Sequence, residues 1–343
     1  MSDIIFNIFF SLSIITIVFL IRGLLIKNNL LLDNVNFSFH KNITGNKKLI
    51  LGPPLCGGII ICIAFFLDFS FYYLNIFVFF LLIIGILSDL NILTSPKLRI
   101  LLQTVVVFFF VIILDLGIID LRIVNVNLLL QITPISIIFT VFCILILING
   151  VNFIDGLNTL VLGYFILVLM AIILAGLKFD FILNKNEFLF LIILIVLFFF
   201  NFFEKIYLGD SGSYVAGIAI AFFLLKFIDS NQAVSPYFIC LLLWYPAFEN
   251  LFTILRRLFY KRKTYKADQQ HLHQLLYFYF LKKFKRNNFF TNTFSALCIN
   301  FFNLIIFAIA FNYFDSTKIM VLLLCISVLI YLYSYYKLKL VLK

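Results

Sequence analysis

Asn149-Gly150-Val151-Asn152-Phe153-Ile154-Asp155-Gly156-Leu157-Asn158 sets three asparagines, an aspartate and two glycines between two long apolar runs, Ile135 to Ile148 and Leu157 to Leu177. A pair of membrane helices needs only a short polar turn between its members. This turn carries amides and a carboxylate but no Lys or Arg. It would solubilise poorly and would suit a polar ligand, with or without a metal. The flanking runs are close to the ~20 residues that cross a bilayer as a helix.

The pattern recurs along the whole chain. Of 343 residues 64% are hydrophobic and 12% charged, with a mean hydropathy of +1.16. A soluble protein of this size cannot hide so much apolar surface. Backbone amides in lipid must be satisfied within each segment, so the expected fold is an all-α polytopic membrane protein. Eleven apolar runs can be counted: Ile4–Ile21, one ending near Leu67, Phe71–Leu87, one ending near Leu114, the two around the opening stretch, Phe188–Phe203, Tyr214–Phe227, Tyr237–Leu255, Phe294–Ala310 and Ile319–Tyr336. Residues 1–343 read as a single integral-membrane domain, with a polar loop at about 256–290 too short to fold alone. The six cysteines lie mostly in apolar runs with no C-x-x-C pair and read as small hydrophobes.

The first run has Asp3 before it and Arg22 and Lys27 after it, the reverse of a secretory signal peptide. It reads as a retained helix with its N-terminus outside, which puts the C-terminus in the cytoplasm. All Lys and Arg residues except Arg122, Lys178, Lys185, Lys226 and Lys318 then fall on the inner side, as the positive-inside rule requires. The net charge of +11 is thus a matter of topology and lipid contact and implies no nucleic acid. With this orientation Ser88-Asp89, Asn149 to Asn158, Gly209-Asp210-Ser211-Gly212-Ser213 and His271-Leu272-His273 all face the cytoplasm. Four polar clusters on one face of a bundle point to one site.

Asp210 stands just before an apolar run, among small residues. Free amides at a helix start favour an anion, and a carboxylate beside them can hold Mg²⁺, which bridges one or two carboxylates to phosphate oxygens. The bland alternative is an N-cap with turn-forming neighbours. Asp155 could add a second carboxylate, and Asn149 and Asn152 amide donors for a nucleotide or sugar; the alternative is a polar surface turn. Asp89, taken alone, reads as the end of a span. His271 and His273 would not share a face of a helix but could converge in an extended loop, and they are two of only three histidines. Arg256 and Arg257, with Lys261, Arg262, Lys263 and Lys266, fit either anionic-lipid contact or phosphate binding.

Together these motifs resemble the polyprenyl-phosphate N-acetylhexosamine-1-phosphate transferases, glycosyltransferase family 4. The matching pieces are Pro54-Leu55-Cys56-Gly57-Gly58, Gly85 to Asp89, Ser95-Pro96-Lys97 with Arg99 and Gln103, Asn149 to Leu160, Gly209 to Ser213, and Arg256-Arg257 leading to Ala267-Asp268 and His271-Leu272-His273. The histidine segment is similar to the WecA-like branch rather than the MraY-like one. The resemblance implies transfer of a sugar 1-phosphate from a UDP-sugar to polyprenyl phosphate in a bacterial inner membrane, with release of UMP and with Mg²⁺ (or Mn²⁺) as cofactor. It implies that Asp210 and Asp155 hold the metal and that Asn149 and Asn152 line the donor pocket. His271 and His273 would contact the diphosphate, Asp89 would lie near the acceptor phosphate, and Arg256 and Arg257 would bind substrate. A homodimer is compatible with it. Three departures stand out: Ser88 and Asn158 occupy places where the family usually has Asp, and Gln274 follows the second histidine. Two other readings compete. One is a transporter or flippase, for which Asp115, Glu249 and Lys226 would be the charges near spans. The other is a homologue that has lost catalysis at Ser88.

Overall fold

The computed structural model describes residues 2–33, 52–67, 72–183, 185–259, 270–284 and 288–342. His40 with Lys41, Lys47 and Lys48, the basic run Lys261 to Lys266, and Ala267-Asp268 lie outside the described residues. The rest forms fourteen helices: α1 (Ser2–Lys27), α2 (Gly57–Leu67), α3 (Tyr72–Asp89), α4 (Pro96–Ile113), α5 (Val124–Leu130), α6 (Thr133–Ile154), α7 (Leu160–Phe179), α8 (Lys185–Phe202), α9 (Gly209–Ser230), α10 (Pro236–Leu242), α11 (Trp244–Phe259), α12 (Leu272–Phe284), α13 (Asn288–Phe311) and α14 (Thr317–Leu342).

Nine described helices are long and apolar enough to cross a membrane, and a tenth span results if α10 and α11 count as one. Two of the eleven expected spans therefore look different. The second is only the 11 residues of α2, about 16 Å at ~1.5 Å per residue, half of a ~30 Å hydrocarbon core. The ninth is bent by 72° between α10 and α11. Pro246 causes the break: it lacks an N–H and its ring displaces the carbonyl four residues earlier. That carbonyl, of Leu242, accepts instead from the Tyr164 hydroxyl of α7 at 2.8 Å. Tyr164 is wholly buried, so the break is stapled from within. The described residues of the polar loop at about 256–290 are mostly helical, because α11 runs on to Phe259 and α12 follows at Leu272.

The centre of the bundle is α9, the most buried of the long helices. It begins Gly-Asp-Ser-Gly-Ser and continues with Ala216, Gly217, Ala219 and Ala221. Small residues let neighbouring backbones come close, which is how membrane helices gain packing without a hydrophobic drive. α3, α6 and α2 all pack on it. The outer faces of α1, α4 and α14 carry exposed Phe, Leu and Ile such as Phe9, Leu101 and Leu329, the surface a lipid-facing helix presents.

Candidate functional site

The start of α9 is held by the end of α3. The Asp89 carboxylate accepts from the backbone N–H of Asp210 (2.8 Å) and Ser211 (3.1 Å) and from the Ser211 hydroxyl (2.8 Å). These are the helix-start amides that the sequence suggested would be open to an anion. A carboxylate there satisfies orphan donors and meets the positive end of the helix dipole. Gly209 sits at φ +76°, and a Cβ on it would come within 2.8 Å of Asp89 Oδ2; glycine alone suits both demands. With the helix start fixed, Asp210 projects a partly exposed carboxylate. Its Oδ2 accepts from the Ser88 hydroxyl at 2.6 Å and from Arg99 Nη1 at 3.1 Å, and Arg99 also donates to Ser88 at 2.7 Å. Ser88 thus joins Arg99 to Asp210.

The opening stretch meets the same helix. The Ser213 hydroxyl donates to Asp155 Oδ2 at 3.3 Å, and Asn152 Nδ2 to the Tyr214 hydroxyl at 3.1 Å. Asp210 and Ser213 are three positions apart on one helix and so share a face, which brings Asp155 to the side of α9 that carries Asp210. Asn149 is turned elsewhere, toward Gln103 Oε1 of α4 at 3.0 Å. The turn itself is fastened by asparagines from distant helices: Asn292 accepts from Asn158 N–H at 2.7 Å and Asn201 from Thr159 N–H at 2.6 Å. Thr159 has a left-handed φ of 67°, a conformation costly for a β-branched residue, and these bonds hold it there.

The histidines complete the cluster. Their rings stack at 5.6 Å with 14° between planes, and His271 also lies 5.5 Å from Phe153 in the opening stretch. A Cβ on Gly156 would come within 2.6 Å of His273 Nε2, so His273 lies directly against the Asp155-Gly156 turn. Convergence follows because His271 is the residue before α12 and His273 its second residue. Gln274 accepts from the His271 N–H through Oε1 at 3.3 Å, the returning half of a capping box; this is the structural part played by that departure. His271 Nδ1 lies 2.8 Å from Glu249 Oε1, and Tyr331 donates to Glu249 Oε2 at 2.7 Å. Arg256 is buried; its Nη1 donates to the Gln270 carbonyl and to the Tyr335 hydroxyl of α14. It clamps the histidine segment to α14, while Arg257 remains half-exposed. Of the other charges weighed for a transport path, Lys226 donates to the Leu114 carbonyl at 3.2 Å and Glu249 is wholly buried inside α11 rather than near a span end.

A small cleft opens beside the turn, lined by Asp155, Gly156, Asn158, Asn201, Tyr207 and Asn292 among others. The sequence reading did not single out Tyr207, Asn201 or Asn292 for it. Glu204, in the loop before α9, is tied to the cleft by Asn158 Nδ2 at 3.0 Å from its Oε1. Burial pushes its carboxyl above the ordinary 4.5, partly offset by the Asn158 bond. A raised carboxyl contributes stability that is complete below the unfolded value and lost as pH rises through the folded one. Glu204→Gln is therefore expected to raise the unfolding temperature at pH 7.5 and not at pH 4. The gain should be small, on the order of 1 °C for a chain of this size, and thermal scans in detergent at both pH values would measure it.

Among the described residues no group of three or more His, Cys, Asp or Glu could hold a metal ion. Mg²⁺ does not need one. It keeps several waters and takes one or two carboxylates plus substrate phosphates, and Asp210 and Asp155, bridged by one turn of α9, offer that donor set. The residues fit such an ion, bound mainly through water and phosphate.

These features define a polytopic helical membrane protein with carboxylates, amides, an arginine and paired imidazoles gathered where α3, α6, α9 and α12 meet. Residues 71–228 match the family model "Glycosyl transferase family 4". A protein of Bacillus subtilis (strain 168), named "Probable undecaprenyl-phosphate N-acetylglucosaminyl 1-phosphate transferase", is 31% identical over 142 residues, 40% of this chain. The match spans 39% of that relative's length. The matched family segment carries Asp89, Asp155 and Asp210 but ends before Glu249 and the histidines.

Proposed function

We propose that this protein transfers an N-acetylhexosamine 1-phosphate from a UDP-sugar to undecaprenyl phosphate and releases UMP, starting a lipid-linked cell-envelope glycan. The observation that carries this reading is the joining of Asp210, Asp155, Arg99 and the two histidines in one cluster of contacts. The family match and the name of the Bacillus relative support it. The distribution of Lys and Arg supports a bacterial cytoplasmic membrane with the cluster facing inward.

In the proposed reaction an oxygen of the lipid phosphate attacks the sugar-bearing phosphorus. The bond between that phosphorus and the bridging oxygen breaks, and the bridging oxygen leaves with UMP. The second pKa of a phosphate monoester is about 6, so the acceptor is already largely anionic at neutral pH and needs no base at Ser88. When bound, Mg²⁺ would neutralise the diphosphate and stabilise the charge on departing UMP. Asp210 and Asp155 would hold it. Arg99 supplies a fixed positive charge beside Asp210, and the imidazoles, buried against the Asp155 turn, would contact a diphosphate bound at it. Asp89 serves by keeping the start of α9 in place.

The test is UMP release by the detergent-purified full chain with undecaprenyl phosphate, Mg²⁺ and, in turn, a panel of UDP-N-acetylhexosamines. Release that requires both lipid and metal is expected with at least one donor. Folded protein that releases no UMP with any of them would overturn the proposal.

A further inference from the structure

Glu249 is a carboxylate with no solvent exposure, in the interior of α11, outside the matched family segment. Burying a carboxylate is costly unless it is paired and hydrogen-bonded, and here both oxygens are engaged. Oε1 faces His271 Nδ1 at 2.8 Å, and Oε2 accepts from Tyr331 of α14 at 2.7 Å. Thr253, one turn further along α11, has its hydroxyl 3.4 Å from the same His271 nitrogen. The other ionisable neighbours are Tyr245, one turn earlier on α11, Arg256, two turns later and held by Tyr335, and His273, stacked on His271. The His271 ring is thus fixed on three sides, between Phe153 and His273 and at its Nδ1 edge by Glu249.

We propose that Glu249 is a positioning residue that keeps a proton on Nδ1 of His271 and so sets which nitrogen the ring presents to the substrate. The proposal rests on the reading that His271 meets the donor's diphosphate. A carboxylate is a pure acceptor, so the nitrogen facing it must carry hydrogen. With Nδ1 committed, the ring turns Nε2 toward its remaining neighbours, and its orientation cannot relax without leaving a buried Glu249 oxygen unpaired. This is the arrangement by which a hydrogen bond at one imidazole nitrogen decides the state of the other. A merely structural Glu249, tying α11 to α14, would leave the proton on His271 indifferent to its charge.

The experiment is the side-chain ¹⁵N spectrum of His271 in the full-length protein labelled at histidine, assigned against His40 and His273 by single replacements. The wild type is expected to show Nδ1 carrying hydrogen; a His271 with a bare Nδ1 would overturn the proposal without any variant. In Glu249→Gln, nearly the same shape without the charge, the His271 signals should move toward a mixture of tautomers, whereas Tyr331→Phe should leave them in place. Unchanged signals in a folded Glu249→Gln would equally overturn it. In the UMP assay Glu249→Gln should lower kcat at least 10-fold. The spectrum stands even if no donor is turned over, so failure of this inference and failure of the proposed reaction are told apart.

Discussion

Asp210→Asn is expected to reduce UMP release by at least about 10³-fold, on the order of 4 kcal/mol of transition-state stabilisation, with little change in the unfolding temperature. The two halves of this expectation have separate causes. The Asp210 side chain is only 24% exposed, and its partners Ser88 and Arg99 can turn to an amide oxygen as they do to a carboxylate oxygen. Exposed ion pairs contribute only ~0–1 kcal/mol to stability; this more shielded pair loses its charge in the variant but keeps its hydrogen bonds. The start of α9 is held by Asp89 rather than by Asp210, so the helix does not depend on the lost charge. The charge itself is what a divalent cation and a diphosphate require, and no amide replaces it. Kinetics with lipid acceptor and UDP-sugar, beside a thermal scan of the same preparation, measure both halves. Turnover by Asp210→Asn near the wild-type rate would end the case for Asp210 as the centre of the site.

Asp155, Asp210 and the histidine pair were legible because polar residues are rare in this composition and each sits at the end of an apolar run, where chain direction alone assigns a side. The helical, membrane-spanning character followed from the same scarcity. What stayed hidden was set by contacts between distant positions. Tyr164, stapling the break at Pro246, is 78 positions from the carbonyl it serves, and Tyr331 is 82 from Glu249, which on its own read as a stray charge near a span. Asn201 and Asn292 look like interruptions of apolar helices until their amides are seen holding the 158–159 turn. Ser88 was visible as a departure, but its role as a link between Arg99 and Asp210 depends on how closely α3 crosses α9. The short helix α12 was masked by the basic residues around it, which read as a loop.

That close crossing makes Gly85→Ala a strongly damaging substitution. A Cβ on Gly85 would lie 2.2 Å from Ser211 Cα, 2.6 Å from Ser211 N and 2.9 Å from Ser211 Cβ. The first two are backbone atoms of α9, so no rotamer change relieves the contact, and the helices must part by about 1 Å or more to reach ordinary separation. Overpacking of this sort costs about 1–3 kcal/mol, and here the displacement falls on the bonds that build the site. Ser88 and Asp89 follow Gly85 on α3 within one turn, and their partners are Asp210 and Ser211. Moving α3 outward stretches all three Asp89 bonds together, frees the start of α9 and carries Arg99's link to Asp210 out of register. Misplacement by 1 Å at a reacting centre can cost ~10²-fold in rate, so Gly85→Ala should lose at least that much UMP release together with several degrees of thermal stability. Gly23→Ala is the matched control, since nothing lies within 4 Å of its Cβ. On α1 that added methyl group replaces glycine with the best helix former and should leave both activity and stability at or slightly above the parent. Equal behaviour of the two variants would show that α3 and α9 do not meet as closely as 2.2 Å implies, and with that the Asp89 cap on α9 would fall.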